Sequence, residues 1–179
     1  MTNNAEGANI HGFESELAAK LTADDRVQLT FAWTRAKLGQ LIGGSNDYAL
    51  PPCAVPGIST CLDVTGNRMP HAPNVSLQFQ YQHVFRFADG ASLTPRLSTH
   101  YETASSLSVF DLGDGDRQKA YTRSDIGLRY TKPRSWWIDA FVRNVGDTKV
   151  KTSAMNGFNA WVAQYQPPRT VGINSGFDF

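Results

Sequence analysis

The residues in this chain that could do chemistry are few and scattered. Four histidines stand at positions 11, 71, 83 and 100. No two have the spacing of metal ligands, and no cysteine joins them at close range, so a metal site is not expected. Ser98, His100 and Asp125 hold the residue types of a nucleophilic triad, which needs the imidazole within hydrogen-bond reach of the hydroxyl and a third group to orient it. Ser98 and His100 alternate onto one face of a strand, but such pairs also arise by chance, and no catalytic residues are assigned. Gly43-Gly44-Ser45-Asn46 has neither the Lys nor the following helix of a phosphate-binding loop and reads as a loop tip. Asp111-Leu112-Gly113-Asp114-Gly115-Asp116 has the flavour of a calcium loop without its terminal Glu, and reads as a solvated turn. Cys53 and Cys61, eight positions apart in a Pro/Gly-rich stretch, read as a disulfide of an oxidising compartment, with two unrelated thiols as the alternative.

The elements that must carry these residues have period two. Val27-Gln28-Leu29-Thr30-Phe31-Ala32-Trp33-Thr34 and Val75-Ser76-Leu77-Gln78-Phe79-Gln80-Tyr81-Gln82 alternate apolar and polar side chains. Seven strands are expected, at about 8–20, 27–38, 74–86, 91–102, 120–131, 136–146 and 161–179. They reach the roughly 9–11 residues that a tilted strand needs to cross a bilayer, whereas strands of soluble domains are commonly about 5–6 residues long. Their connections alternate in length: short at 22–26, 87–90 and 132–135, long at about 39–73, 103–119 and 147–160. Barrels of the outer membrane segregate short and long connections to opposite ends in this way, and a soluble sandwich has no reason to.

Aromatic residues gather near both strand ends, among them Trp33, Tyr101, Tyr130, Trp136 and Trp161, as two headgroup-level girdles would require. With Leu93, Leu97, Ile126, Leu128 and Tyr130 facing lipid, Arg96, Ser98, His100, Glu102, Asp125 and Arg129 face a hydrated lumen. Arg96, His100, Glu102 and Arg129 are thereby candidate ligand contacts. The 136–146 strand is apolar on both faces, and alternation does not orient it. Met155, Phe158 and Trp161 could reach a ligand from the long loop above, although Trp161 also suits a girdle.

Bulk properties agree. With 17 Lys and Arg against 16 Asp and Glu, and 41% hydrophobic residues, the chain lacks the clustered cations of a nucleic-acid-binding surface and the polarity of a disordered chain. No apolar run of 18 residues marks a transmembrane helix. The opening Met1-Thr2-Asn3-Asn4 has no basic or apolar leader, so the native N-terminus is expected to lie upstream.

Five motifs carry a family resemblance. These are Asn9-Ile10-His11-Gly12-Phe13-Glu14-Ser15-Glu16, Gly66 through Pro70-His71-Ala72-Pro73-Asn74, Tyr121 through Asp125-Ile126-Gly127-Leu128-Arg129-Tyr130, Trp137 through Phe141-Val142-Arg143-Asn144-Val145-Gly146-Asp147, and Pro168-Arg169-Thr170-Val171-Gly172 with the terminal Phe177-Asp178-Phe179. In this order they resemble the C-terminal barrel segment of TonB-dependent receptors, along nearly the whole chain. Gly146 departs from the motif, which commonly has an aromatic there, and Asn174 departs from a small residue before the terminus. The resemblance implies an all-β, antiparallel transmembrane barrel segment, the last third of a 22-stranded barrel with a plugged lumen, with plug and earlier strands absent from residues 1–179. It implies a non-enzymatic receptor in the outer membrane of a Gram-negative bacterium, working without a resident cofactor. Its partners would be outer-membrane lipid, the TonB complex acting through the missing N-terminal region, and the barrel assembly machinery reading Phe177 and Phe179. Its cargo would be a scarce nutrient, with a ferric siderophore first and cobalamin, haem or carbohydrate behind it. A passive porin-type barrel and a soluble β-sandwich or calycin-like binding module are the alternative readings.

Overall fold

A computed structural model describes residues 7–45, 50–54, 59–157 and 160–177. In chain order, β1 (Ala8–Lys20) and β2 (Asp25–Leu38) form a long hairpin, followed by a short ribbon of β3 (Ile42–Ser45) and β4 (Thr60–Asp63). Then come β5 (Val75–His83), its two-residue continuation β6 (Phe85–Arg86) and β7 (Ser92–Glu102). A second small ribbon, β8 (Ser105–Ser106) and β9 (Arg117–Gln118), precedes β10 (Tyr121–Lys132) and β11 (Trp136–Arg143). A third, β12 (Lys151–Gly157) and β13 (Ala160–Tyr165), precedes β14 (Thr170–Phe177).

The long strands pair in sequence order, β1-β2-β5-β7-β10-β11-β14, every pair antiparallel, with β1 and β14 at the open edges. Each long connection carries one of the three ribbons, while the opposite end has tight turns. At the first turn Thr22 Oγ1 accepts from the backbone N–H groups of Asp24 and Asp25. At the second, Gly90 takes φ +82°, a left-handed conformation that favours glycine. These devices reverse the chain within a few residues and hold the register.

The pairing gives each face a single character. One side carries Phe13, Leu17, Leu29, Phe31, Phe79, Leu97, Ile126, Leu128, Ile138, Val171 and Ile173, and most of these large side chains are exposed. The other carries Glu16, Gln28, Gln78, Gln80, Arg96, Ser98, Asp125 and Asp139. In water so much unburied apolar surface would drive association; in a bilayer that face is satisfied by lipid and the sheet's backbone by its own ladder. A soluble sandwich would put a second sheet over the apolar face, and among the described residues none covers it. The packed core lies instead among the long connections, where Leu50, Val64, Leu107 and Val150 are buried.

The seventh expected strand is corrected. Residues 161–179 do not form one strand: Ala160–Tyr165 belongs to the third ribbon, and the sheet resumes only at Thr170. Pro167 and Pro168 lie between them, and neither can donate to a ladder. The third long connection therefore spans 144–169 rather than 147–160. Trp161 is corrected with it: as a β13 residue it lies outside the barrel sheet. Its indole rests on Gly115, where an added Cβ would come within 2.2 Å of the ring. Phe158 and Phe179 lie outside the described residues.

Candidate functional site

The concave polar face forms a trough of about 790 Å³ running across the middle of the sheet. Its floor is built by side chains two residues apart on successive strands, which the pleat turns to one side. Gln28 and Gln80 come from β2 and β5, Arg96 and Ser98 from β7, Asp125 from β10, and Asp139 from β11. Arg96 donates to Asp139 Oδ1 at 2.5 Å, reaching across β10 at Gly127. The lack of a side chain there is what lets the guanidinium lie flat: a Cβ on Gly127 would stand 3.0 Å from Arg96 Nη2. With Arg96 38% and Asp139 13% exposed, the pair is partly wet, and its net contribution to stability is about 1 kcal/mol or less. Its main consequence is positional, since it holds one cation and one anion at fixed places in the trough.

Above it lies a second cluster. His100 Nδ1 is 3.0 Å from Gln78 Oε1, its Nε2 is 2.9 Å from Glu102 Oε1, and Tyr121 donates its hydroxyl hydrogen to Glu102 Oε2 at 3.0 Å. Ser98 Oγ accepts from Gln78 Nε2 at 2.8 Å. Asp125 Oδ1 accepts from the backbone N–H of Asn144 at 2.7 Å. Ser98, His100 and Asp125 are thus each engaged elsewhere, and no hydroxyl–imidazole–carboxylate relay links them. Among the described residues no group of three His, Cys, Asp or Glu could hold a metal ion.

The four candidate ligand contacts share this concave face but do not converge. Arg96 lines the trough, His100 and Glu102 belong to the cluster above it, and Arg129 lies toward the short-turn end with its guanidinium 4.2 Å from the centre of the Trp137 ring. Trp137 and Tyr121, near the strand ends, therefore face inward. Trp33, Tyr101, Tyr130 and Trp136 share the outward face, where the tilted rings of Tyr130 and Trp136 have their centres 5.2 Å apart and Phe177 pairs with Trp136 in register. Sequence reasoning missed Asp139, Phe141 and Arg143 of β11 as lining residues. A strand apolar on both faces gives no alternation to read, and only its register against β10 and β14 orients it.

The long connections form a continuous cap at one end. His71 N–H donates to Ser106 O and Asn67 Nδ2 to Val109 O, joining the first to the second. Lys151 N–H donates to Gln118 Oε1 at 2.6 Å, and Lys151 Nζ to the carbonyls of Asp114 and Gly115, joining the second to the third. Arg123 ties β10 to Gln166. A disulfide links Cys53 to Cys61, with Cα atoms 4.9 Å apart.

Within the cap, Arg117 donates two hydrogen bonds to Asp111, at 2.5 and 2.7 Å, and holds that carboxyl below its ordinary value of 3.8. A group depressed in the folded state stabilises above its unfolded pKa, and that contribution is lost as pH falls through the folded one. Hydrogen-exchange protection of residues 107–118 in the full-length protein is therefore expected to be flat between about pH 8 and 5 and to fall below about pH 4. Asp111→Asn should remove that fall. Equal acid sensitivity in the variant would sink the assignment.

The comparisons fit an outward-apolar, inward-polar sheet capped at its long-loop end. The family described as TonB dependent receptor-like, beta-barrel, matches residues 1–145. The chain belongs to this family. The pesticin receptor of Yersinia pestis is 34% identical over 120 residues, which are 64% of this chain and 16% of that one. The crystal structure of the ferric yersiniabactin uptake receptor FyuA from Yersinia pestis superposes with a TM-score of 0.78 at 24% identity, covering 98% of this chain and 24% of that one. The siderophore receptor PiuA from Acinetobacter baumannii gives 0.68 at 17% identity over 94% of this chain and 21% of its own. The chain thus spans between a sixth and a quarter of the length of these relatives. As a TonB-dependent receptor barrel it is an outer-membrane protein of a Gram-negative bacterium, its short turns periplasmic and its capped loops extracellular.

Proposed function

We propose that the intact receptor imports a ferric siderophore in a TonB-dependent manner, and that residues 1–179 are the C-terminal wall of its barrel. The observation that carries this reading is the trough: polar and charged side chains at fixed places, on the inward face of a sheet whose other face is apolar. The siderophore and ferric-yersiniabactin receptors among the relatives support the choice of cargo. The open edges at β1 and β14 would be closed by the remaining strands, since unpaired N–H and C=O groups are not tolerated in lipid. The plug and the segment that meets the TonB complex would lie upstream. Trp33, Tyr101, Tyr130 and Trp136 would anchor the barrel at headgroup level. Phe177, outward and exposed, would with Phe179 form the signal read by the assembly machinery.

The test is uptake of 55Fe-labelled ferric siderophores by cells whose own receptors are deleted and which express the full-length gene. Iron accumulation that stops when TonB is deleted supports the reading. Accumulation that continues without TonB would make the protein a passive pore. Dependence on TonB with uptake of cobalamin, haem or a carbohydrate instead would keep the transport class and replace the cargo.

A further inference from the structure

The third ribbon, β12 with β13, has two faces, and the described residues pack only one of them. Trp161, Ala163 and Tyr165 alternate onto the first, together with Lys151, the register partner of Tyr165. That face is docked on the second connection: the Trp161 indole rests on Gly115, and Lys151 Nζ donates to the carbonyls of Asp114 and Gly115. Met155 and Val162 are register partners on the opposite face, and they are 67% and 61% exposed. Beside them Ser153 Oγ donates to Gln164 Oε1 at 3.2 Å, so the polar pair of that face is engaged while the apolar pair is bare. A two-stranded ribbon is marginal in water until it is packed against something, and a cross-strand apolar pair is the part of it that a covering segment would bury.

The order of the sheet says what lies on that side. The connections dock in ring order, the first on the second through His71 and Asn67, the second on the third through Gln118 and Lys151. The strands they join follow in the same order and end at β14, whose outer edge is open. β14 starts at the capped end, where Thr170 pairs with Arg143, and runs to the short-turn end, where Phe177 pairs with Trp136. In a closed antiparallel barrel its next neighbour runs the opposite way and emerges at the capped end beside Thr170. The long connection that follows this neighbour therefore rises next to the third ribbon, on the side away from the second connection. The structural match covers 24% of the FyuA chain, and the strand that closes on β14 belongs to the remainder of such a barrel.

We propose that Met155 and Val162 form a docking surface for the long connection that follows the first strand of the intact barrel, and that an apolar side chain of that upstream connection covers them. The third ribbon is then held from both sides, by the second connection on its Trp161 face and by the upstream connection on its Met155 face. The inference rests on the reading of residues 1–179 as the C-terminal wall of a closed barrel, and it is independent of the cargo.

The test is photo-crosslinking of the full-length receptor in cells, with benzoylphenylalanine in place of Val162, of Trp161 or of Val171. Position 161 should cross-link to residues 103–119, and position 171, on the β14 edge, to the first strand of the barrel. Position 162 should cross-link to the upstream connection. Cross-links from 162 only to the plug, to lipid or to a second receptor copy overturn the proposal, as does silence at 162 while 161 reacts. A position 171 that never reaches the first strand would overturn the closed-wall reading and the proposal with it, whereas reaction at 171 without reaction at 162 overturns the docking alone. Met155→Ser/Val162→Ser is expected to speed amide exchange in the upstream connection about tenfold, since burial of one such side chain is worth at least about that factor. Unchanged protection of residues 103–119 shows that the ribbon still folds in this variant, and unchanged exchange upstream would then overturn the proposal. Gain or loss of siderophore uptake leaves both readouts untouched.

Discussion

Replacing Ile126 by Arg is expected to lower the unfolding free energy of the full-length receptor in lipid vesicles by about 2–4 kcal/mol. Ile126 sits near the middle of β10 between Leu97 and Val142, all three on the outward face, so an arginine there meets hydrocarbon on every side. Gln80→Arg, on the concave side opposite Ser98, should change stability by less than about 1 kcal/mol, because the new charge stays hydrated. A denaturant titration of both variants in vesicles checks the orientation of the whole sheet. Each strand's side is locked to its neighbours' by register, so one reversed strand would reverse all of them. If Gln80→Arg proves the costly change and Ile126→Arg the mild one, the inside and outside are misassigned.

The second large effect is expected at Asn144, which is fully buried where β11 leaves the barrel. Its backbone sits at φ +52°, which asparagine tolerates better than most side chains. Its backbone N–H donates to Asp125, its Nδ2 donates to Thr148 O, and its Oδ1 accepts from Thr148 N–H at 2.9 Å. Nearby, Asp147 Oδ1 accepts from Arg169 N–H, so the loop's two ends are pinned together. Asn144→Ala leaves Thr148 backbone groups without partners and keeps the unfavourable φ. The expected cost to the order of residues 144–169 is about 2–4 kcal/mol. Asn144→Asp retains the acceptor and loses the donor, so it should fall between. Hydrogen exchange across 144–169 reads both, and wild-type protection in Asn144→Ala would remove Asn144 from this role.

These two sites differ in how visible they were beforehand. Ile126 lies in Asp125-Ile126-Gly127-Leu128-Arg129-Tyr130, where alternation alone separates the faces. Asn144 could be read only as part of a family motif. Its partners are 19 and 4 positions away, and nothing local announces that its side chain is swallowed by the loop.

The same division runs through the molecule. Period-two alternation, strand length and the alternation of short and long connections are local properties of the chain. They determined an antiparallel sheet with one lipid-facing and one polar side, and placed most strands to within a residue or two. Pro167 and Pro168 were also local, and their weight as ladder breakers was overlooked in drawing the last strand through them. Only the tertiary structure decided the inward side of β11, because Trp136, Trp137, Ile138, Ala140 and Phe141 look alike to a pattern of period two. Pairing with β10 and β14 turned Asp139 toward Arg96, 43 positions away. The three loops joined across the cap, Trp161 on Gly115, and Lys37 opposite Arg68 are likewise products of register and loop packing. Such contacts are non-local: which residues meet depends on how every intervening strand is aligned, and no segment carries that information alone.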